Sequence, residues 1–118
     1  MSRKTILIIE GQPQVLRLLS WVLAEEGYGV DSVSNPLDAT NHVVANCPDV
    51  VIFNTGLPDE RKKEWIDEWR ASAPNTRVLD LRDPATSPRR PSEIGADGVL
   101  TTPFHVDSLL DVVKSFFG

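Results

Sequence analysis

Two short runs without a polar residue, Ile6-Leu7-Ile8-Ile9 and Val50-Val51-Ile52-Phe53, constrain the fold more than anything else in the chain. The second is bounded by Pro48 on one side and by Gly56 and Pro58 on the other. A run this short, so bounded, is too brief for a helix and reads as a strand covered on both faces. Such strands belong to parallel sheets, whose crossovers place helices above and below. In open sheets of that kind ligands and chemistry sit just beyond the carboxyl ends of the strands. Glu10-Gly11 and Asn54, which follow the two runs, are therefore the first places to look for a site.

The remaining segments alternate between helix and strand. Pro13 suits a first helical turn, and Val15, Leu18, Leu19 and Val22 recur at helical spacing until Gly27 supplies a stop, giving a helix over about 13–26. Trp21 falls off that apolar stripe and is expected to be exposed. Residues 28–33 alternate polar and apolar, as at a sheet edge. Asn35-Pro36 opens a second helix with Ala39, Val43 and Val44 facing inward. A third helix is expected over 60–71 with Trp65, Ile66 and Trp69 as its apolar marks, and its first turn carries Arg61-Lys62-Lys63, where the helix dipole is already electropositive. Residues 77–82 read as a fourth strand interrupted by Asp80. Pro84, Pro88 and Pro91 then forbid a regular helix, leaving at most a turn or two around 92–94. Residues 98–101 form a short fifth strand, and Asp107 begins a last helix with Leu109, Leu110, Val113 and Phe116 inward.

The pattern is five βα units with the fourth helix shortened or lost, which implies a parallel sheet with right-handed crossovers. At 118 residues the chain is read as one domain, 1–118. Its net charge of -5 gives no attraction to nucleic acid or anionic membrane, so direct nucleic-acid binding is not expected. No apolar run approaches the ~20 residues of a membrane helix, and the first residues do not form a signal peptide. The single Cys47 fits a reducing compartment, and the expected location is cytoplasmic. His42 and His105 lack a nucleophile or carboxylate at recognisable spacing, so no enzyme is expected.

Several linked features extend over the whole length: Glu10-Gly11-Gln12-Pro13 after the first strand, the Pro48-Asp49 opening, Leu57-Pro58 three residues past Asn54, and Gly95-Ala96-Asp97 leading to Thr102-Pro103-Phe104. In these the chain resembles the receiver (CheY-like) domain of two-component response regulators. The resemblance implies a flavodoxin-like fold with strand order 2-1-3-4-5. It also implies a site of two acidic Mg²⁺ ligands, a phosphoryl-accepting aspartate, a Ser/Thr and a lysine. Those positions fall here on Glu10 and Gly11, Asn54, Arg82 and Thr102, and the aromatic switch position falls on Val99. None of the reactive groups is present. The residues say the same without the family: Mg²⁺ wants several hard oxygen ligands, covalent phosphoryl capture needs a carboxylate nucleophile, and Asn54 is an amide.

The resulting expectation is a degenerate pseudo-receiver, a protein-interaction module of bacterial signalling that works without phosphorylation and with no cofactor, Mg²⁺ included. Arg82 is expected to fill the phosphate site; Asp80 two residues back on its own strand face, the adjacent Asp83 and the Asn54 oxygen are candidate partners, and Glu10, reached directly or through Asn54, is the one expected. Exposed Trp21 is the candidate interaction surface, and the loss of the fourth helix predicts no dimer through the fourth helix, fifth strand and fifth helix. The alternative is a small anionic ligand bound at the carboxyl face by Arg61, Lys62, Lys63 and Arg82. Partner identity, oligomeric state, and whether an output domain follows Gly118 are not legible in the residues.

Overall fold

In the computed structural model, which describes residues 3–54, 56–83 and 90–118, the first apolar run lies within strand β1 (Thr5–Glu10) and the second within β3 (Val50–Asn54). With β2 (Gly29–Val33), β4 (Arg77–Arg82) and β5 (Gly98–Thr101) they form one parallel sheet of order β2-β1-β3-β4-β5. The register sets Glu10 beside Asn54 and Arg82 beside Thr101. The polar residues at the carboxyl ends are thus lined up along one rim.

Both faces of β1 and β3 are covered along residues 6–9 and 50–53, which is why these runs admit no polar residue. Leu7, Ile9, Val51, Phe53 and Val78 pack under helices α2 (Pro36–Asn46) and α3 (Asp59–Ser72) through Ala39, Val43, Ile66 and Trp69. Ile6, Ile8, Val50, Ile52, Leu79 and Leu81 pack under α1 (Pro13–Glu25) and α5 (Val106–Phe116) through Leu19, Leu23, Leu109 and Val113. Phe53 and Trp69 meet at a centroid distance of 5.0 Å, and Trp69 Nε1 donates to Thr40 Oγ1 at 2.9 Å, tying α3 to α2.

α4 is a single turn, Pro91–Ile94. Pro84 and Pro88, on which part of the expected helix loss rested, lie outside the described residues. Two inward assignments are corrected. Leu18 is 50% exposed, because α1 rolls so that Leu16, Leu19 and Leu23 face the sheet. Val44 is 59% exposed, because Val43 and Ala39 occupy the buried line of α2. Trp21 stands out at 64% exposure, on the outer side of α1. Among the described residues no helix is long and apolar enough to cross a membrane.

Candidate functional site

Glu10 ends β1 with only 5% of its surface exposed. One of its carboxylate oxygens accepts the Gln12 backbone N–H at 2.9 Å, at the mouth of α1, whose N-cap has no side-chain cap of its own. The other accepts the side-chain amide of Asn54. An ionised carboxylate is acceptor-only, so it is the amide nitrogen of Asn54 that must face it, and the amide oxygen is turned elsewhere. Gly11, next in the chain, contributes no side chain, and a Cβ there would meet nothing closer than the Ser34 carbonyl oxygen at 3.8 Å.

Arg82 is buried, but its partner is not Glu10. Its Nε and one terminal nitrogen donate to Asp80 Oδ2 at 3.0 and 2.8 Å. The other carboxylate oxygen of Asp80 lies 3.0 Å from Lys62 Nζ. Lys62, Asp80 and Arg82 are 1%, 0% and 7% exposed. The physical reason for the correction is the strand's period of two: residues 80 and 82 share one face of β4, whereas Glu10 lies on β1, with β3 between. A fork two residues long on the same face closes without crossing a strand.

The four cations offered as an anion site do not converge. Arg61 pairs with Glu64 at 2.7 Å and Lys63 with Asp67 at 2.6 Å, all on the exposed side of α3. Lys62 alone points inward, because it stands four residues before Ile66 and seven before Trp69, on the helix's buried stripe. Asp59 and Glu60 occupy the first turn and complement the dipole that made the basic triplet look misplaced. Thr102 closes onto the end of β4, its backbone N–H and its hydroxyl both donating to the Arg82 carbonyl, at 2.8 and 3.2 Å. Val99 is half-buried in β5.

A cavity of about 340 Å³ opens at this rim between β1, β3 and the start of α2, lined by residues that include Glu10, Gly11, Ser34, Pro36, Asn54 and Leu57. The donor set does not suit Mg²⁺. Among the described lining residues there is a single carboxylate where Mg²⁺ wants several hard oxygen ligands, the neighbouring position is glycine, and an amide nitrogen faces the carboxylate. Among the described residues no group of three or more His, Cys, Asp or Glu is placed to hold a metal.

Sheet order, helix placement and the polar rim at the β1/β3 switch point define a flavodoxin-like α/β domain. The chain belongs to the response regulator receiver domain family, whose model matches residues 6–114. It is similar to the transcriptional regulatory protein KdpE of Mycobacterium tuberculosis, with 34% identity over 89% of this chain and 47% of that protein. It is 29% identical to the virulence transcriptional regulatory protein PhoP of Salmonella typhimurium over 89% of this chain and 48% of the relative. The chain spans about half the length of these curated relatives. In fold it resembles the receiver domain of sensor histidine kinase PA1611 from Pseudomonas aeruginosa, solved with magnesium in its active-site cleft (TM-score 0.83, 20% identity, 99% of both chains). It also resembles the response regulator TrrA, solved in complex with histidine kinase ThkA (TM-score 0.81, 26% identity, 98% of this chain and 99% of that structure).

The sequence picked out Glu10, Gly11, Asn54, Arg82 and Thr102 as the rim, and the structure sets all of them at the carboxyl ends of β1, β3, β4 and β5. It offered Asp80 as a partner of Arg82 but favoured Glu10, and it missed Lys62 as the second cation on Asp80. Both signals were available: a lone acid inside an apolar strand requires a counter-charge, and a lysine in phase with Ile66 and Trp69 lies on a buried stripe.

Proposed function

We propose that this receiver domain acts without phosphorylation, as a protein-interaction module of a bacterial two-component pathway, and that it is not an enzyme. The observation that carries this reading is the Asn54–Glu10 hydrogen bond at the carboxyl end of β3. An amide whose nitrogen faces a carboxylate occupies the place where covalent phosphoryl capture needs a free carboxylate nucleophile. Glycine at position 11 and the arginine drawn to Asp80 support the same reading, since neither supplies a metal ligand or a hydroxyl.

The interaction surface in this proposal is the outer side of α1, where Leu18 and Trp21 stand three residues apart and are both at least half exposed. Large exposed aromatics of this kind anchor interfaces. TrrA, in the same family, was solved bound to a histidine kinase, and a protein partner of signalling type is proposed here too. With α4 reduced to one turn, no dimer through α4, β5 and α5 is expected.

The test is phosphorylation itself. Incubation with acetyl phosphate and Mg²⁺ should leave the intact mass of the chain unchanged. Asn54→Asp alone should also stay unmodified, because Gly11 still withholds a ligand and Arg82 still stands where the family has Ser or Thr. A stable gain of one phosphoryl group by the unaltered chain or by the single variant would overturn the proposal.

A further inference from the structure

The cavity beside Glu10 has a chemistry of its own, different both from the family's phosphate pocket and from an anion site. Its one charged lining residue is acidic. Glu10 is 95% buried, and each of its oxygens accepts a single hydrogen bond, leaving each a second lone pair. Asn54 donates to Glu10 and has no acceptor role among the described residues, so its oxygen is available too. The four basic side chains considered for an anion site are held by acids: Lys62 and Arg82 by Asp80, Arg61 by Glu64, Lys63 by Asp67. The positive end of the α2 dipole, which also borders the cavity through Pro36, is offset by Asp38 in its first turn and by the Asn35 cap. The site is therefore rich in acceptors, and the Gln12 amide and Ser34 hydroxyl that also line it are neutral groups able to turn an oxygen to a ligand.

Its shape fits a small organic molecule. About 340 Å³ lies within the range of ligand pockets. The missing side chain at Gly11 opens space directly beside the Glu10 carboxylate, and Pro36 and Leu57, both half-buried, supply apolar wall. We propose that this cavity binds a small organic cation, a protonated amine, amidine or guanidine carried on a short apolar body, with its donors on Glu10 and the Asn54 oxygen. Such a group brings three to five hydrogen-bond donors in a compact fork, which a rim of lone pairs accommodates without the octahedral oxygen shell that Mg²⁺ demands. The inference stands apart from the phosphorylation reading: it concerns the cavity and not the acceptor chemistry.

The experiment is a ¹⁵N–¹H chemical-shift titration of the chain with benzamidine and benzylamine, compared with neutral benzyl alcohol and anionic benzoate. Both cations should shift the amides of Glu10, Gly11, Gln12 and Asn54 saturably, in the millimolar range or tighter, on the order expected for fragments of this size. Benzyl alcohol and benzoate should bind at least roughly tenfold more weakly, the scale of one charge-assisted hydrogen bond. Glu10→Gln should cost the cations a similar factor. Because glutamine offers one acceptor oxygen where the carboxylate offers two, that change also sets an amide nitrogen against either the Gln12 N–H or the Asn54 amide, so Gly11→Leu serves as the second variant. Nothing lies within 3.8 Å of a Cβ at position 11, so the chain should remain folded while its cavity fills and binding is lost. Benzoate binding as well as benzamidine, no saturable shift with either cation, or full binding by a folded Gly11→Leu variant would overturn the proposal.

Discussion

Replacing Asp80 by asparagine tests the central energetic claim about this domain. Asp80 is fully buried and receives three charge-assisted contacts: Lys62 Nζ at 3.0 Å, Arg82 Nε at 3.0 Å and an Arg82 terminal nitrogen at 2.8 Å. Asn keeps the shape but carries no charge, and its amide nitrogen cannot accept from either cation. Removing one partner of a buried ion pair costs about 3 to 5 kcal/mol, and here one carboxylate serves two cations, which places the loss in the upper half of that range. For a domain of this length about 4 °C of melting temperature is lost per kcal/mol, so Asp80→Asn should melt some 15–20 °C lower by circular dichroism. Lys62→Met and Arg82→Ala each leave Asp80 one cation and should cost less, roughly 1 to 3 kcal/mol. Replacing Lys62, Asp80 and Arg82 together with well-packed Met, Leu and Met should be far milder than Asp80→Asn alone, because no member of the cluster is then left as a charge without its counter-charge. Asp80→Asn within about 1 kcal/mol of the unaltered chain in urea unfolding, or a triple variant less stable than that single one, would refute the reasoning.

The two tryptophans extremes should separate cleanly: Trp21→Ala should change stability by no more than about 0.5 kcal/mol, as surface changes do, whereas Trp69→Ala should cost about 3 to 5 kcal/mol by opening the α3–sheet core; the opposite ranking in denaturant unfolding would contradict the burial assigned to α1 and α3. Tyr28 should ionise above the ordinary tyrosine value, raised first by burial and then by the nearby Glu26 carboxylate. Since the folded value is the higher one, its contribution to stability is fully present below about pH 10 and is lost as the pH rises through the folded value. An ultraviolet phenolate titration placing Tyr28 at or below the free value would contradict this.

The sheet was legible because its cause is local. Uninterrupted apolar runs, each followed by a polar residue and a turn, can only be interior strands, and βα alternation then dictates the crossovers. The rim was legible for the same reason, since Glu10, Asn54 and Arg82 are the last residues of their strands. What failed was decided by tertiary geometry. α1 offers apolar residues at 15, 16, 18, 19, 22 and 23, enough for two overlapping stripes, and only packing against the sheet selects the one that leaves Leu18 outside. Arg82 had acidic candidates on two strands, and the choice turned on a shared face against a longer reach across β3.

The buried cluster also bears on how such a domain can signal. A modification or ligand shifts a conformational equilibrium only by its difference in affinity for the two states. In this chain, an alternative arrangement that drew both Arg82 and Lys62 away from Asp80 would leave a buried carboxylate without either cation. At about 3 to 5 kcal/mol that arrangement would hold under about 1% of molecules. A switch passing through β4 is therefore expensive here, which fits a module recognised by one fixed shape. Glu10 lies on the other side of β3 and takes no part in that cluster. A cation bound beside it would engage lone pairs that are already oriented, and would reach the mouth of α1 through the Gln12 N–H that Glu10 holds. Any regulation of the Leu18–Trp21 surface by the cavity would then run along α1 and leave the Lys62–Asp80–Arg82 cluster intact. Asp80→Asn should accordingly lower stability without weakening benzamidine binding in the fraction that remains folded, and Glu10→Gln should do the reverse to binding with a smaller loss of stability.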